Sequence, residues 1–402
     1  MPYTRKKSRD TPSSSSPSST SSIAPYSQYK VSICSVKGGR PYMEDEYYMS
    51  DNKQFIAIFD GHGGSAVSKY LRQNLYANLQ AALPALTSLR TSSSTNHSSE
   101  EQNKGISKHP PSVQDYKKAL QSAFTKVNKE VQRISHWSYQ GSTAVAILFH
   151  TFKNTTLPSS VTTTILAANV GDSRAIIGTS NHKSIDLTID HKPNNPTEQS
   201  RIQSLGGTIT WCGAVDKTSG KPIKHTGVYR INGNLALSRA IGDRSEQPFV
   251  SSEVDISTKV VNYEKDLFVV VASDGVWDVL SSQDVVDFVF DVLDAPLPLT
   301  LTKRERHNRK KKRDEESFVL EEDRNQHHQQ KRRNGSKDEN HHHEDVENEE
   351  EYDDLDQLYI QKETIQKRKK NMAKLITQEA LRRGSMDNIS VIVIWLDSSN
   401  EE

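Results

Sequence analysis

Apolar positions recur along this chain with two periods, and the periods separate its elements. Val67, Leu71, Leu75 and Leu79 return every fourth residue just after a glycine pair, which predicts an amphipathic helix. Val113, Tyr116, Leu120, Phe124, Val127, Val131 and Ile134 keep the three-and-four spacing of a second helix, with Ser112 placed to cap it. Ser282 stands as the cap of a third helix over 284–292. Ile365, Met372, Ile376 and Ala380 mark a fourth, and Gly384 signals its end. Short runs rich in β-branched residues predict strands at 55–59, 143–149, 164–170, 174–177, 268–272 and 389–395. Strands outnumber helices and do not alternate with them in strict βαβ order. The expected class is therefore α+β, with helices packed on antiparallel sheets.

Three stretches carry neither period. Residues 1–27 are rich in Ser and Pro, begin with Arg5, Lys6, Lys7 and Arg9, and have almost nothing apolar to bury, so a disordered basic tail is expected. The same acid-poor composition weakly resembles an organelle transit peptide, the lesser alternative. Residues 87–111 read as a loop insertion between two helices. Residues 295–361 hold a basic block over 303–313, then His327, His328, His341, His342 and His343, then an acidic block over 344–356. Blocks of like charge repel and stay solvated, so this is expected to be a disordered insertion within one domain spanning 28–398. Such dilution explains why only 33% of the 402 residues are hydrophobic.

Charge and cysteine content narrow the function. Lys and Arg number 52 against 51 Asp and Glu, a net charge of +1, which excludes a chain-wide basic field for nucleic acid. The longest apolar runs, 267–272 and 391–396, fall far short of the ~18 residues of a membrane span. Two cysteines, Cys34 and Cys212, exclude a disulfide scaffold and an all-cysteine zinc site.

The candidate chemistry lies at strand ends. Asp60 ends the run 55–59, Asp172 follows the run ending at Val170, Asp274 follows 268–272, and Asp387 precedes 389–395. Asp and Gly end strands in ordinary turns. Four such tips, with the Glu44–Asp45 pair, make a different case, because carboxylates brought together repel unless a cation joins them. Oxygen donors without cysteine point to Mg²⁺ or Mn²⁺. Two such ions roughly 3.5–4 Å apart form the usual clamp of phosphoryl chemistry. Arg40, just upstream, offers a guanidinium fork for a phosphate. His62 comes two residues after Asp60 and titrates in the range of a general acid for a leaving alkoxide. Gly61, Gly63 and Gly64 permit close backbone approach, and the Gly61 carbonyl is a candidate ligand. The stretch lacks the Gly-Lys-Ser/Thr ending of a Walker loop.

These residues sit in a series of motifs. Arg40-Pro-Tyr-Met-Glu-Asp45, Asp60-Gly-His-Gly-Gly64, Gly141-Ser-Thr-Ala144 and Asn169-Val-Gly-Asp-Ser-Arg-Ala175 come first. Asp190-His-Lys-Pro193, Leu237-Ser-Arg-Ala-Ile-Gly-Asp243, Ser273-Asp-Gly-Val-Trp-Asp278 and Gly384-Ser-Met-Asp-Asn-Ile-Ser390 follow. In this order the series resembles the metal-dependent protein phosphatases, the type 2C serine/threonine phosphatases. That resemblance implies a four-layer α-β-β-α sandwich of two antiparallel sheets flanked by helices. It implies two Mn²⁺ or Mg²⁺ ions at the edge between the sheets. Asp60 would bridge both ions and the Gly61 carbonyl bind one, with Asp274 and Asp387 completing the protein ligands. Glu44 and Asp45 would hold metal-bound water, Arg40 would bind the substrate phosphate, and His62 would be the general acid. Asp172 and Asp278, with Asp274, would form a third metal site, while Asp243 is given only a structural or supporting role. The activity implied is hydrolysis of phosphoserine and phosphothreonine in proteins by a metal-bound water, without a phosphoenzyme intermediate. Residues 193–224 contain Glu198, Arg201, Ile202 and Gly206-Gly207, as the family's flap does.

Rival readings find less support. An adaptor that had kept the fold without catalysis would lack a metal aspartate or the arginine, and all are present. The basic block has no interleaved aromatics, so it reads as a solvated tail or a nuclear-import signal rather than a nucleic-acid surface. The irregular histidine spacing reads as a polar tract rather than a metal site. Phosphoprotein substrates, no membrane or nucleic-acid partner, a monomeric state and a cytosolic or nuclear location are expected.

Overall fold

The structure, a computed structural model, describes residues 29–93, 110–153, 161–223, 226–296 and 349–396. The expected tail over 1–27, the basic block over 303–313 and the five histidines lie outside the described residues. One sheet orders β1 (Lys30–Val36), β15 (Ile389–Trp395), β14 (Asp266–Ala272), β8 (Arg174–Thr179) and β9 (Ser184–Asp186). The other orders β13 (Asp255–Val260), β7 (Val161–Val170), β6 (Ala144–Lys153), β3 (Phe55–Phe59) and β2 (Glu46–Met49). Every neighbouring pair in both is antiparallel. A small third sheet joins β12 (Ile241–Gly242), β5 (Gly141–Ser142) and β4 (Gly61–His62), and β10 (Ile209–Cys212) pairs with β11 (Val228–Ile231). The helices are α1 (Ala66–Ser93), α2 (Val113–Gln132), α3 (Pro196–Ser204), α4 (Asp274–Trp277), α5 (Ser282–Asp294) and α6 (Glu349–Arg382).

Alternation of side chains across the strands builds the layers. Phe55, Ala57 and Phe59 of β3 pack with Leu71 and Leu75 of α1 and Leu120 and Phe124 of α2. Ile56 and Ile58, on the opposite face, meet Ile177, Val269, Val271, Ile392 and Ile394 from the other sheet. The outer face of that sheet sends Phe268, Val270, Val391 and Val393 against Val285 and Val289 of α5 and Met372 and Ile376 of α6. Helices, sheet, sheet, helices is the expected α-β-β-α sandwich. Both faces of β3, β14 and β15 are covered, which is why their sequences are continuous apolar runs. Each fully buried Val, Leu, Ile or Phe contributes about 1.5–3 kcal/mol.

Several strands run two to four residues past their expected bounds, and three helix boundaries differ in ways that carry information. The cap of α5 is Ser281, not Ser282, because the Ser281 hydroxyl accepts from the Asp284 N–H and the Asp284 side chain closes the capping box. Helix α1 continues to Ser93, into the segment expected to be a loop from 87 onward, of which residues 94–109 lie outside the described residues. Helix α6 begins at Glu349, so the end of the acidic block belongs to a helix. Glu is a good helix former, and carboxylates at a helix N-terminus complement its dipole.

Register brings the strand tips together. Glu46 at the start of β2 faces Phe59 at the end of β3, and Ala144 at the start of β6 faces Val170 at the end of β7. In the other sheet Ala272 at the end of β14 faces both Val391 of β15 and Arg174 of β8. One end of each sheet therefore gathers Asp45, Asp60 and Asp172, or Asp274 and Asp387.

Candidate active site

Four aspartates form a shared electrostatic field at these tips. Asp60 is pushed well above the ordinary carboxylate range by burial, then by the charges of Asp45, Asp274 and Asp172, and it shares a hydrogen bond with Asp274. Asp274 is likewise pushed well above it by burial and by Asp172, Asp278 and Asp387. Burial raises Asp172. Asp45 is raised to about 6 by burial, against hydrogen bonds from Ser390 and Ser273 that favour its charged form. Such a set cannot all ionise without cations.

The donor set suits hard divalent ions. The clustered side chains are carboxylates, without thiol or imidazole ligands, a donor set that suits hard divalent ions such as Mg²⁺ or Mn²⁺. The Asp45 Oδ2 accepts from the Ser273 hydroxyl at 3.0 Å. Its buried Oδ1 has no hydrogen-bond partner among the described residues, an open acceptor for a hydrated ion. Among the described residues no three His, Cys, Asp or Glu side chains converge as the cage of one ion. Carboxylates spread in this way fit ions that keep several waters, as Mg²⁺ does.

Arg40 and His62 flank the cluster. The Arg40 Nη2 lies 2.5 Å from Asp387 Oδ2, and 56% of its side chain is exposed, so the guanidinium keeps a face toward solvent. Asn388 fastens the loop that carries it, donating from Nδ2 to the Lys37 and Tyr42 carbonyls and accepting from the Glu44 N–H at 2.7 Å. Gly38 turns that loop at φ +62°, where a Cβ would stand 1.9 Å from the Asp387 carbonyl oxygen. His62 Nε2 donates to Asp243 Oδ2 at 2.7 Å. Burial opposes charging of His62, but Asp243 outweighs it, and the pKa lies above the ordinary 6.5. Gly141 passes between these two, where a Cβ would meet Asp243 Oδ2 at 2.1 Å and His62 Nε2 at 2.5 Å.

Asp278 is the most exposed aspartate of the group. It is half-exposed, and Lys192 Nζ lies 3.0 Å from its Oδ1 and 3.7 Å from Asp172 Oδ2. Burial opposes the Lys192 charge, yet Asp172 and Asp278 raise its pKa. Glu44 is half-buried beside Asp45. The expected residues Arg40, Glu44, Asp45, Asp60, Gly61, His62, Asp274 and Asp387 thus lie on connecting loops, on the short strand β4 and at the first residue of α4, at one edge, with Asp172 and Asp278 beside them.

Sequence reasoning missed Lys192 and Asn388 and gave Asp243 no contact with His62. Composition carries no signal for these, because their partners are 86, 346 and 181 residues away. Cys34 and Cys212 are free thiols, the first half-buried on β1 and the second exposed on β10.

Comparison with known proteins gives a consistent set of likenesses. The family described as protein phosphatase 2C matches residues 29–315. A protein of Arabidopsis thaliana described as probable protein phosphatase 2C 11 is 32% identical over 276 residues, 67% of this chain and 60% of that protein. One of Oryza sativa subsp. japonica, probable protein phosphatase 2C 59, is 29% identical over 288 residues, 70% of this chain and 72% of that protein. The chain spans 43–60% of the length of the first curated relatives it matches. Among solved structures, a C. elegans sex determining protein matches with TM-score 0.56 at 20% identity, covering 92% of this chain and 65% of that one. A serine-threonine phosphatase 2C from Toxoplasma gondii matches with TM-score 0.52 at 16% identity, covering 91% of this chain and 94% of that one. These two likenesses are likenesses of fold.

Proposed function

The chain belongs to the protein phosphatase 2C family, and from that premise we propose that it hydrolyses phosphoserine and phosphothreonine in proteins, metal-dependently and without a phosphoenzyme. The observation that carries the reading is the Asp45–Asp60–Asp172–Asp274 field, two of its carboxylates buried and two half-buried, beside Arg40 and the His62–Asp243 pair.

Two Mg²⁺ or Mn²⁺ ions on Asp60, Asp274, Asp387 and the Gly61 carbonyl, with Asp172 and Asp278 available to a third, would supply an activated water and offset phosphate charge. The chain's own groups do the rest. Arg40 turns from Asp387 to the phosphate and grips two of its oxygens with the guanidinium fork. Glu44 and Asp45 accept hydrogen bonds from the attacking water and orient it in line with the departing oxygen. His62, charged through Asp243, gives its proton to the Ser or Thr oxygen as that oxygen leaves. No thiol or hydroxyl nucleophile is required, and Cys212 stands on the exposed hairpin.

The direct test is phosphate release from a phosphothreonine peptide, with Mn²⁺ against chelator, by the wild-type chain and by Asp274→Asn. Metal-dependent release that disappears in the variant supports the reading. A folded chain inert at every metal concentration would sink it and favour an adaptor.

A further inference from the structure

We propose that Lys192 is a built-in counter-cation of the Asp172–Asp278 pair, and that a third divalent ion binds there only by displacing its ammonium. The proposal rests on the metal-centre reading above and concerns how that centre fills.

The ammonium spans the pair, 3.0 Å from Asp278 Oδ1 and 3.7 Å from Asp172 Oδ2. It is not a wandering surface lysine, since only 34% of its side chain is exposed. Its backbone is fastened to the turn that carries Asp172. The His191 N–H donates to the Gly171 carbonyl at 2.9 Å, and the Gly171 N–H donates to His191 Nδ1 at 3.0 Å. The Asn195 N–H donates to the Lys192 carbonyl at 2.9 Å. Asp278 is fixed in turn, because its N–H donates to the Asp274 carbonyl at 2.9 Å at the end of α4. The backbones that carry both carboxylates and the lysine are therefore held in place, and the side chains meet from those fixed positions.

The aspartates divide by this cation. Among the described residues, no Lys, Arg or His lies within ion-pair distance of Asp60 or Asp274, although the Lys192 charge reaches Asp274 from beyond it, so that pair lacks a cation of its own. Asp172 and Asp278 already share an internal one. Two carboxylates and one ammonium leave a net charge of −1. A divalent ion entering beside the ammonium would meet a like charge within a few ångströms, in a partly buried place where screening is weak. The ammonium must leave first. Two ions should therefore bind ahead of the third, and the gap between them is set by Lys192.

The test counts Mn²⁺ bound to the full-length chain, from the electron paramagnetic resonance signal of free Mn²⁺ across a titration. Lys192→Gln and Lys192→Met should each tighten the weakest ion of the centre at least tenfold and leave the tighter two unchanged. Lys192→Arg, which keeps the charge, should stay within about twofold of wild type. Adding Asp278→Asn to Lys192→Gln should cancel the gain, which assigns it to this place rather than to the histidines outside the described residues. A weakest ion bound no tighter in either neutral variant, both folded by near-ultraviolet circular dichroism, overturns the proposal while the phosphatase reading stands. A wild-type chain with no tight Mn²⁺ at all overturns the metal-centre reading, and this proposal with it.

Discussion

A histidine that protonates a leaving oxygen must carry its proton inside the protein, and burial works against that. Asp243 reverses the balance for His62 from 2.7 Å away, itself only 2% exposed. The pair predicts a pattern over substrates. His62→Gln should slow phosphothreonine peptide hydrolysis by about 10²–10⁴, the usual worth of a general acid, and slow p-nitrophenyl phosphate far less, since that leaving group needs little protonation. Asp243→Asn should show the same bias at roughly 10- to 100-fold, through positioning and charge rather than contact with substrate. Steady-state kinetics on both substrates checks this, and equal losses on the two would remove both residues from the proton's path. Gly141→Ala should copy the Asp243→Asn pattern, because its Cβ would wedge the pair apart. The sequence displayed His62 beside Asp60, but not its partner. Proximity across 181 residues is made by β4 and β12 both pairing with β5, a small sheet too short to have any period of its own.

At the scale of elements, α3 is held to the sheets by a chain of charges centred on the buried Glu198 and Arg239. Arg239 donates to Glu198 Oε1 from Nη2 at 2.7 Å and from Nε at 3.0 Å, while Arg201 Nη2 donates to Oε2 at 2.8 Å. Arg239 also reaches Asp255 at the start of β13, and Asp255 accepts from His191. Burial would raise the Glu198 pKa, but the two guanidinium groups bring it from 4.5 down to about 2. A carboxylate depressed in the folded state stabilises fully above its unfolded pKa and loses that contribution as pH falls through its folded one. The Glu198 contribution should therefore be complete above about pH 5 and fade toward pH 2. Glu198→Gln should cost about 3–5 kcal/mol at neutral pH by urea unfolding, since it leaves buried guanidinium groups short of a charge partner. The cost should shrink as acid protonates the wild-type side chain, and a pH-independent difference would refute the assignment. Elements themselves were legible where both faces are covered. The runs of β3 and β15 were read to the residue, whereas edge strands such as β2, β9 and β13 mix exposed and half-buried positions and give no clean run. For α5 the capping box held the answer, since Ser281 has an acidic residue three places on and Ser282 has Val285.

For the whole molecule, the question is what the long stretch between α5 and α6 does to a fold that needs both its sides. β15 lies between β1 and β14 and pairs with each, so the first sheet has no continuous core without the last described strand. The same strand follows Asp387, and α6 covers its outer face through Met372, Ile376 and Ala380. The chain must therefore leave after α5, return, and dock as if the excursion were absent. The docking point is close by. Arg368 Nη1 donates to the Leu293 and Ala295 carbonyls at 2.9 and 2.7 Å, so α6 passes the end of α5 about one and a half turns after residue 362. Closing a shorter loop also costs less chain entropy. Replacing residues 297–361 with a flexible linker of about ten Gly and Ser should leave a cooperative unfolding transition and metal-dependent phosphatase activity within about threefold of the full chain. Truncation after residue 296 should give an unfolded product, since it removes the strand that both β1 and β14 require. Circular dichroism and phosphate release on the two proteins separate the cases. Activity lost from a folded, linker-joined chain would make the charged stretch part of the catalytic apparatus, while any RNA or DNA binding by the full chain should vanish with it.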